Sequence, residues 1–376
     1  MLPSILLGAM VLAWGGWAQA DEPGTLLEAK PFTDIDPAIR ALGAEVLRVR
    51  YRSTSDFDPR STIVSGVVFI PGGTPPQGGW PVLAHAHGTT GIRAECGPSL
   101  SPNMWGATVM IAQYLKAGYA VAAADYQGLG APGVHPYLDA KVAGFNVIDS
   151  VRALRQARPG LISDRWVTVG GSQGGGASWA AAEQAPTYAP ELHLVAAVNE
   201  VPAANVAGYP QKAADGALTR VQGAAYSALL FSLSRVHPDL DMNLYRRGSV
   251  AANWEALSMC YGPRMQERND AVTKIEPEEL EPATPQATRK LQDLLNAMAL
   301  PQKKAEAPML VIYAGQDEYI EAAWTRKAIE EACKMGTKIE VDFQPTRSHG
   351  TFDGGHVLEW LSHRMAGEPL QNSCKG

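Results

Sequence analysis

Residues Trp166 to Gly176, WVTVGGSQGGG, run a β-branched segment into a serine set among glycines. Such a cluster can cradle a phosphate, but a phosphate loop needs G-x-x-x-x-G-K-[ST], and no lysine follows Gly174, Gly175 or Gly176. The dinucleotide pattern G-x-G-x-x-G fits no better. Gly170 to Gly174 instead read G-x-S-x-G, with a buried strand running in and a small-residue helix running out. On such a sharp turn the Oγ of Ser172 is pushed into a cleft, and the positions two before and two after must lack side chains for the backbone to close. The chemistry this suits is nucleophilic attack, which needs a general base, a group to orient it, and N–H donors for a developing oxyanion.

Candidates for each follow along the chain. Asp317 ends the apolar run LVIYAGQD, with Glu318 beside it as a rival acid, and His349 follows KIEVDFQPT in the short loop RSHG. Nucleophile, acid and histidine in that chain order form a recognised triad arrangement. His356 and His363 fall inside the last helical segment and read as surface or packing residues, while His87 reads as structural. The oxyanion donors are expected to be the N–H of Gln173, at the start of the helix, and one from the loop HGTTG, contributed by Thr89 or Thr90.

Side chains so far apart in sequence must be gathered on one rim of a sheet. EVLRVRYRS alternates apolar and polar residues, whereas STIVSGVVFIPG, WPVLAHAHG and YAVAAADYQGLG are more continuously apolar, as strands become toward a buried centre. The helical stretches NMWGATVMIAQYLKAG and KVAGFNVIDSVRALRQARPG each precede a strand, which predicts parallel pairing. In the second, Phe145, Ile148, Val151 and Leu154 recur at helical spacing. After LHLVAAVNEVP, the sixth strand in this reading, the alternation stops. Residues 203–307 carry no clear strand signal and are read as a helical cap inserted in an α/β domain spanning 21–376. Strand signals return at MLVIYAGQD and KIEVDFQPT, followed by a helix in GGHVLEWLSHRMAG. Within the cap, Leu229, Leu230 and Phe231 lie in an apolar run from Val221 to Val236 and are expected to line an acyl pocket.

With 46% hydrophobic residues among 376, and 32 basic against 38 acidic, the chain can fill a large core and offers no electrostatic footprint for nucleic acid or an anionic membrane. Its first twenty residues, MLPSILLGAMVLAWGGWAQA, end in an A-x-A site and read as a signal peptide cut before Asp21. A secreted or periplasmic protein without a stable membrane anchor is therefore expected. Cys96, Cys260, Cys333 and Cys374 lack metal-site spacing, so two disulfides are expected, with three connectivities open. Serine chemistry of this kind calls for no cofactor and no metal.

HGTTG with CGPS downstream, DYQGLG, GGSQGG, YAPELHLVAA, VHPDLDM and MCYGP, in this order over roughly residues 60 to 365, resemble the α/β-hydrolase superfamily. Within it they are most similar to the secretory lipase family of the Candida antarctica lipase A type. The resemblance implies an α/β-hydrolase fold with a helical cap, Ser172 as nucleophile with Asp317 and His349 as partners, and pairing of Cys96 with Cys260 and Cys333 with Cys374. It implies hydrolysis of a small-molecule or lipid ester. Thr90 stands where fungal members carry an acid, and the tail after Met365 is short, which turns the expectation toward soluble esters of short to medium acyl length. A serine peptidase or acyltransferase on this fold would need a charged anchor such as Glu200, in NEVPAAN. A binding module on a disabled hydrolase fold would have lost a triad member, and here all three positions are filled.

Overall fold

Among the described residues nine strands form one sheet: β1 (Leu26–Pro31), β2 (Glu45–Ser53), β3 (Thr62–Ile70), β4 (Trp80–Ala86), β5 (Ala120–Ala124), β6 (Ile162–Gly171), β7 (His193–Glu200), β8 (Met309–Ala314) and β9 (Ile339–Gln344). Their spatial order is β1-β2-β3-β5-β4-β6-β7-β8-β9. The computed structural model describes residues 22–57, 62–262 and 264–374, so the expected signal peptide lies outside the described residues. The first three pairings across the sheet are antiparallel and the remaining five parallel. Parallel strands are covered on both faces and read as unbroken apolar runs. Accordingly AVAAA of β5 and MLVIYA of β8 are buried throughout.

Twelve α-helices among the described residues accompany the sheet: α1 (Pro37–Arg40), α2 (Thr108–Lys116), α3 (Ala140–Ala157), α4 (Gln173–Tyr188), α5 (Tyr209–Ala214), α6 (Arg220–Val236), α7 (Gly248–Ala252), α8 (Trp254–Leu257), α9 (Met265–Val272), α10 (Pro285–Met298), α11 (Ala322–Lys334) and α12 (Val357–Met365). α3 begins at Asp139, whose carboxylate accepts from the Val142 N–H at 3.0 Å. It lies tightly on α4, since a Cβ on Gly144 would come within 2.8 Å of the Ala181 nitrogen. α5 to α10 all fall between β7 and β8 and have their own apolar interior. α6 opens with a capping box in which Thr219 and Gln222 satisfy each other's N–H groups at 3.1 and 3.2 Å. No helix among the described residues is long and apolar enough to cross a membrane.

Two details differ from the sequence reading. The helical insertion follows the seventh strand, not the sixth, because β1 precedes the strands that were legible; LLEAKP is a mostly exposed edge strand and carries no apolar alternation. α11 was not anticipated either, since it buries only Thr325, Ala328, Ile329 and Ala332, too slight a stripe to stand out.

The connectivity determines where a cleft can form. From β4 the chain passes to β5 on one side and then to β6 on the other. The loops leaving the carboxyl ends of β4 and β6 therefore diverge and open a crevice between them. Ala86 of β4 is level with Gly170 of β6, so HGTT and Ser172 leave the sheet side by side.

Candidate active site

Ser172 sits between β6 and α4 with φ 57° and ψ −119°, a conformation a residue with a side chain adopts only under constraint. Its N–H donates to the Glu200 carbonyl at 2.8 Å, and its carbonyl accepts from Ala203 at 2.9 Å and Gly176 at 3.1 Å. The flanking glycines make the turn sterically possible. A Cβ on Gly170 would strike the Gly174 carbonyl, and one on Gly174 would strike the Ala86 carbonyl.

Asp317 lies in the loop after β8. Its Oδ1 accepts from the backbone N–H of Tyr319 at 2.9 Å and of Ile320 at 2.8 Å, which leaves Oδ2 to meet His349 Nδ1 at 2.7 Å. Glu318 is not a competitor for the ring: its Oε2 accepts from the His349 backbone N–H at 3.0 Å and so holds the histidine loop. His356 is exposed and His363 half-buried, and they lie beside Asp342 and Glu368 respectively.

Ser172 and His349 line the same cavity, about 210 Å³ in volume. The HGTT loop after β4 contributes Thr89, the insertion contributes Val206, Tyr209, Ala225 and Tyr261, and the loop after β8 contributes Tyr319 and Ile320. A larger open groove of about 1030 Å³ beside Arg152 and Tyr188 is lined by none of these residues.

The donor side of the cavity is braced from behind. Gln173 is the first residue of α4, where N–H groups lack intrahelical acceptors. Its side-chain Nε2 donates to His135 Nε2 at 2.9 Å, while His135 Nδ1 donates to the Gln127 carbonyl at 2.9 Å. Burial lowers the His135 pKa to about 3, so the ring stays neutral in the tautomer this chain requires. Thr89 Oγ1 shares a hydrogen bond of 2.9 Å with the Tyr137 hydroxyl, and the Thr90 carbonyl accepts from the Tyr261 N–H at 2.9 Å. Beneath the loop, buried Asp125 accepts from Ser65 Oγ at 2.6 Å and from the Ser99 N–H at 2.8 Å. His87 stacks on Tyr126 with ring centres 4.3 Å apart.

Leu229, Leu230 and Phe231 are not at the cavity wall; they are buried in the interior of the insertion, with Phe231 against Trp254 at 5.5 Å. α6 is enclosed by α8, α9 and the turn at Pro277–Leu280, so an apolar circumference did not reveal which face meets the cavity. That face is the one carrying Ala225. Glu200 is likewise not a cavity anchor. Its carboxyl packs under the histidine loop, where a Cβ on Gly354 would lie 2.7 Å from Oε1, and burial raises its pKa to about 7. The cysteines pair as Cys96–Cys260 and Cys333–Cys374. Sequence reasoning missed the lining tyrosines Tyr137, Tyr209, Tyr261 and Tyr319; Tyr261 alone carried a signal, as the neighbour of Cys260.

The model of the secretory lipase family matches residues 104–373. A "probable inactive lipase" of Mycobacterium tuberculosis is 25% identical over 377 residues, covering 93% of this chain and 80% of that protein. Candida antarctica lipase A in its closed state superposes with a TM-score of 0.75 at 18% identity, over 94% of this chain and 84% of that one. The rice cell wall degrading esterase LipA of Xanthomonas oryzae, in a ligand-bound form, gives a TM-score of 0.69 at 19% identity, over 92% and 95%. The fold is thus that of the α/β-hydrolase lipases.

Proposed function

Because the chain belongs to the secretory lipase family, we propose that it is a secreted serine esterase that hydrolyses carboxylic esters of short to medium acyl length through an acyl-enzyme on Ser172. The observation that carries this reading is the Asp317–His349 pair at 2.7 Å, whose histidine lines one cavity with a serine held at positive φ. Asp317 keeps the proton on His349 Nδ1, so Nε2 acts as the base. It takes the Ser172 hydroxyl proton as Oγ attacks the acyl carbon, and it returns that proton to the leaving alcohol. The carbonyl oxygen, now negative, is met by the N–H of Gln173 and one from Thr89 or Thr90. Water then attacks the acyl-enzyme with His349 again as base, releasing the acid and restoring Ser172.

Short to medium acyl groups fit the space available. A cavity of 210 Å³ is about seven times the ~30 Å³ share of one water, and the insertion closes it with tyrosines and small apolar residues. Two disulfides suit an oxidising compartment. A fluorophosphonate should label the native protein on the peptide carrying Ser172, and neither the heat-denatured protein nor Ser172→Ala should react. A protein that resists the label and leaves 4-nitrophenyl butyrate intact would reject the proposal.

A further inference from the structure

Arg268, on α9, is only 5% exposed, and no carboxylate among the described residues pairs with it. Burying a guanidinium without an acidic partner is costly, and such groups are normally paired. The nearest acids on its own helix are engaged elsewhere: Glu267 with Arg264 at 2.8 Å, and Asp270 with Gln266 at 2.8 Å. The side chain of Arg268 has one polar contact, donating from Nη2 to the Tyr261 hydroxyl at 2.7 Å, and its guanidinium carbon lies 4.0 Å from the Tyr261 ring centre.

Tyr261 is part of the wall of the cavity that holds Ser172 and His349. Because its oxygen already accepts from Arg268, its own proton remains to be donated. The residue is also rigidly placed: its N–H bonds the Thr90 carbonyl at 2.9 Å, and its neighbour Cys260 is bridged to Cys96. The positive charge of Arg268 is felt within the cavity, where it opposes the rise in pKa that burial imposes on Tyr137 and Tyr319. In the loop after β8, Asp317 is bonded to His349 and two N–H groups, and Glu318 to the His349 backbone.

Resting on the esterase reading above, we propose that Tyr261 and Arg268 recognise a carboxylate carried by the substrate, so that the enzyme prefers anionic esters to neutral ones of equal length. A charge-assisted bond to a fixed phenol–guanidinium pair is strong and directional, and a neutral ester of the same length forfeits it.

Esters of matched length provide the test. 4-Nitrophenyl hemisuccinate carries the carboxylate on the acyl side and butyryl glycolate on the alcohol side; 4-nitrophenyl butyrate and ethyl butyrate are their neutral counterparts. One charged ester should exceed its counterpart about tenfold or more in kcat/KM, and that ratio should fall about tenfold in Tyr261→Phe and in Arg268→Gln. Tyr261→Phe keeps the ring and decides the matter should Arg268→Gln not fold. In parallel, calorimetric titration of succinate into Ser172→Ala and into Ser172→Ala/Tyr261→Phe reads recognition without turnover, with binding expected only in the first. Equal rates for charged and neutral esters on both arms, a ratio unmoved by the folded variants, or succinate binding that is absent or survives Tyr261→Phe would each overturn the proposal. If no ester is turned over, the esterase reading fails, while the succinate titration still decides the carboxylate site.

Discussion

At the residue scale the acid of the proposed triad has two jobs, one for each oxygen. Asp317 Oδ1 is tied to two backbone N–H groups and Oδ2 faces His349 Nδ1, so the carboxylate positions the ring and selects its tautomer together. Asp317→Asn can keep the backbone bonds only by presenting an NH₂ to Nδ1, which repels the required proton; kcat/KM for 4-nitrophenyl butyrate should fall about 10²- to 10⁴-fold with the unfolding temperature little changed. Glu318→Gln still offers an oxygen to the His349 N–H and should cost less than about tenfold in the same assay. Glu200, on the far side of the elbow, makes a different prediction. Burial raises it from 4.5 to about 7, so the folded protein retains a proton that the unfolded chain releases. Its stabilising contribution is complete below about pH 4.5 and is lost as the pH rises through about 7. Glu200→Gln does not titrate, so urea unfolding should show the variant gaining on the wild type by roughly 2 to 3 kcal/mol between pH 4.5 and 7.5. A difference that stays flat across that range would mean the carboxyl titrates in the folded protein as it does in the unfolded chain.

At the element scale α6 separates stability from selectivity. Leu230 is fully enclosed within the insertion, whereas Ala225, more than a turn earlier, faces the cavity. Leu230→Ala should therefore cost about 2 to 5 kcal/mol of stability without moving the preferred acyl length. Ala225→Leu fills part of a 210 Å³ space and should shift the optimum of kcat/KM, measured from acetate to decanoate, toward shorter chains. The same helix shows what a sequence can and cannot convey. The strand entering Ser172, the glycines around it, and the strand ends bearing Asp317 and His349 were legible because their signals are local: an apolar run, a missing side chain, a turn. The face of α6 that meets the cavity was not, because that choice is made by α8 and α9 packing on its other sides. β1 escaped notice since an exposed edge strand needs no apolar alternation, and α11 since it buries few and mostly small residues. Tyr137, Tyr209 and Tyr319 reach the cavity from three separate connections, and nothing in the spacing of each announces that they converge.

At the scale of the whole molecule, a helical insertion of about a hundred residues has to keep its register with the sheet for the cavity to exist, and the two disulfides bear on this unequally. Cys96–Cys260 joins the segment after the HGTT loop to the insertion across 164 residues, and a Cβ on Gly91 would strike Cys96 Sγ, so this bridge lies directly against the loop of Thr89 and Thr90, the proposed oxyanion loop. Cys333–Cys374 closes 41 residues between α11 and a tail that runs along β9, where Ser373 donates to the Ile339 carbonyl at 2.7 Å. No described residue of that tail lines the cavity. Chain entropy alone assigns about 5 kcal/mol to the first bridge and about 4 kcal/mol to the second, so both double-alanine variants should unfold at clearly lower temperature by calorimetry. Their activities should diverge. Assayed well below both unfolding temperatures, Cys333→Ala/Cys374→Ala should keep kcat within about twofold of wild type. Cys96→Ala/Cys260→Ala should lose tenfold or more, because the covalent tie beside the Tyr261 N–H bond to the Thr90 carbonyl is gone, and a misplaced oxyanion donor costs about 10²-fold or more in rate. Equal loss in the two variants would assign both bridges to stability alone and would leave the geometry of the oxyanion loop to Asp125 and its serines.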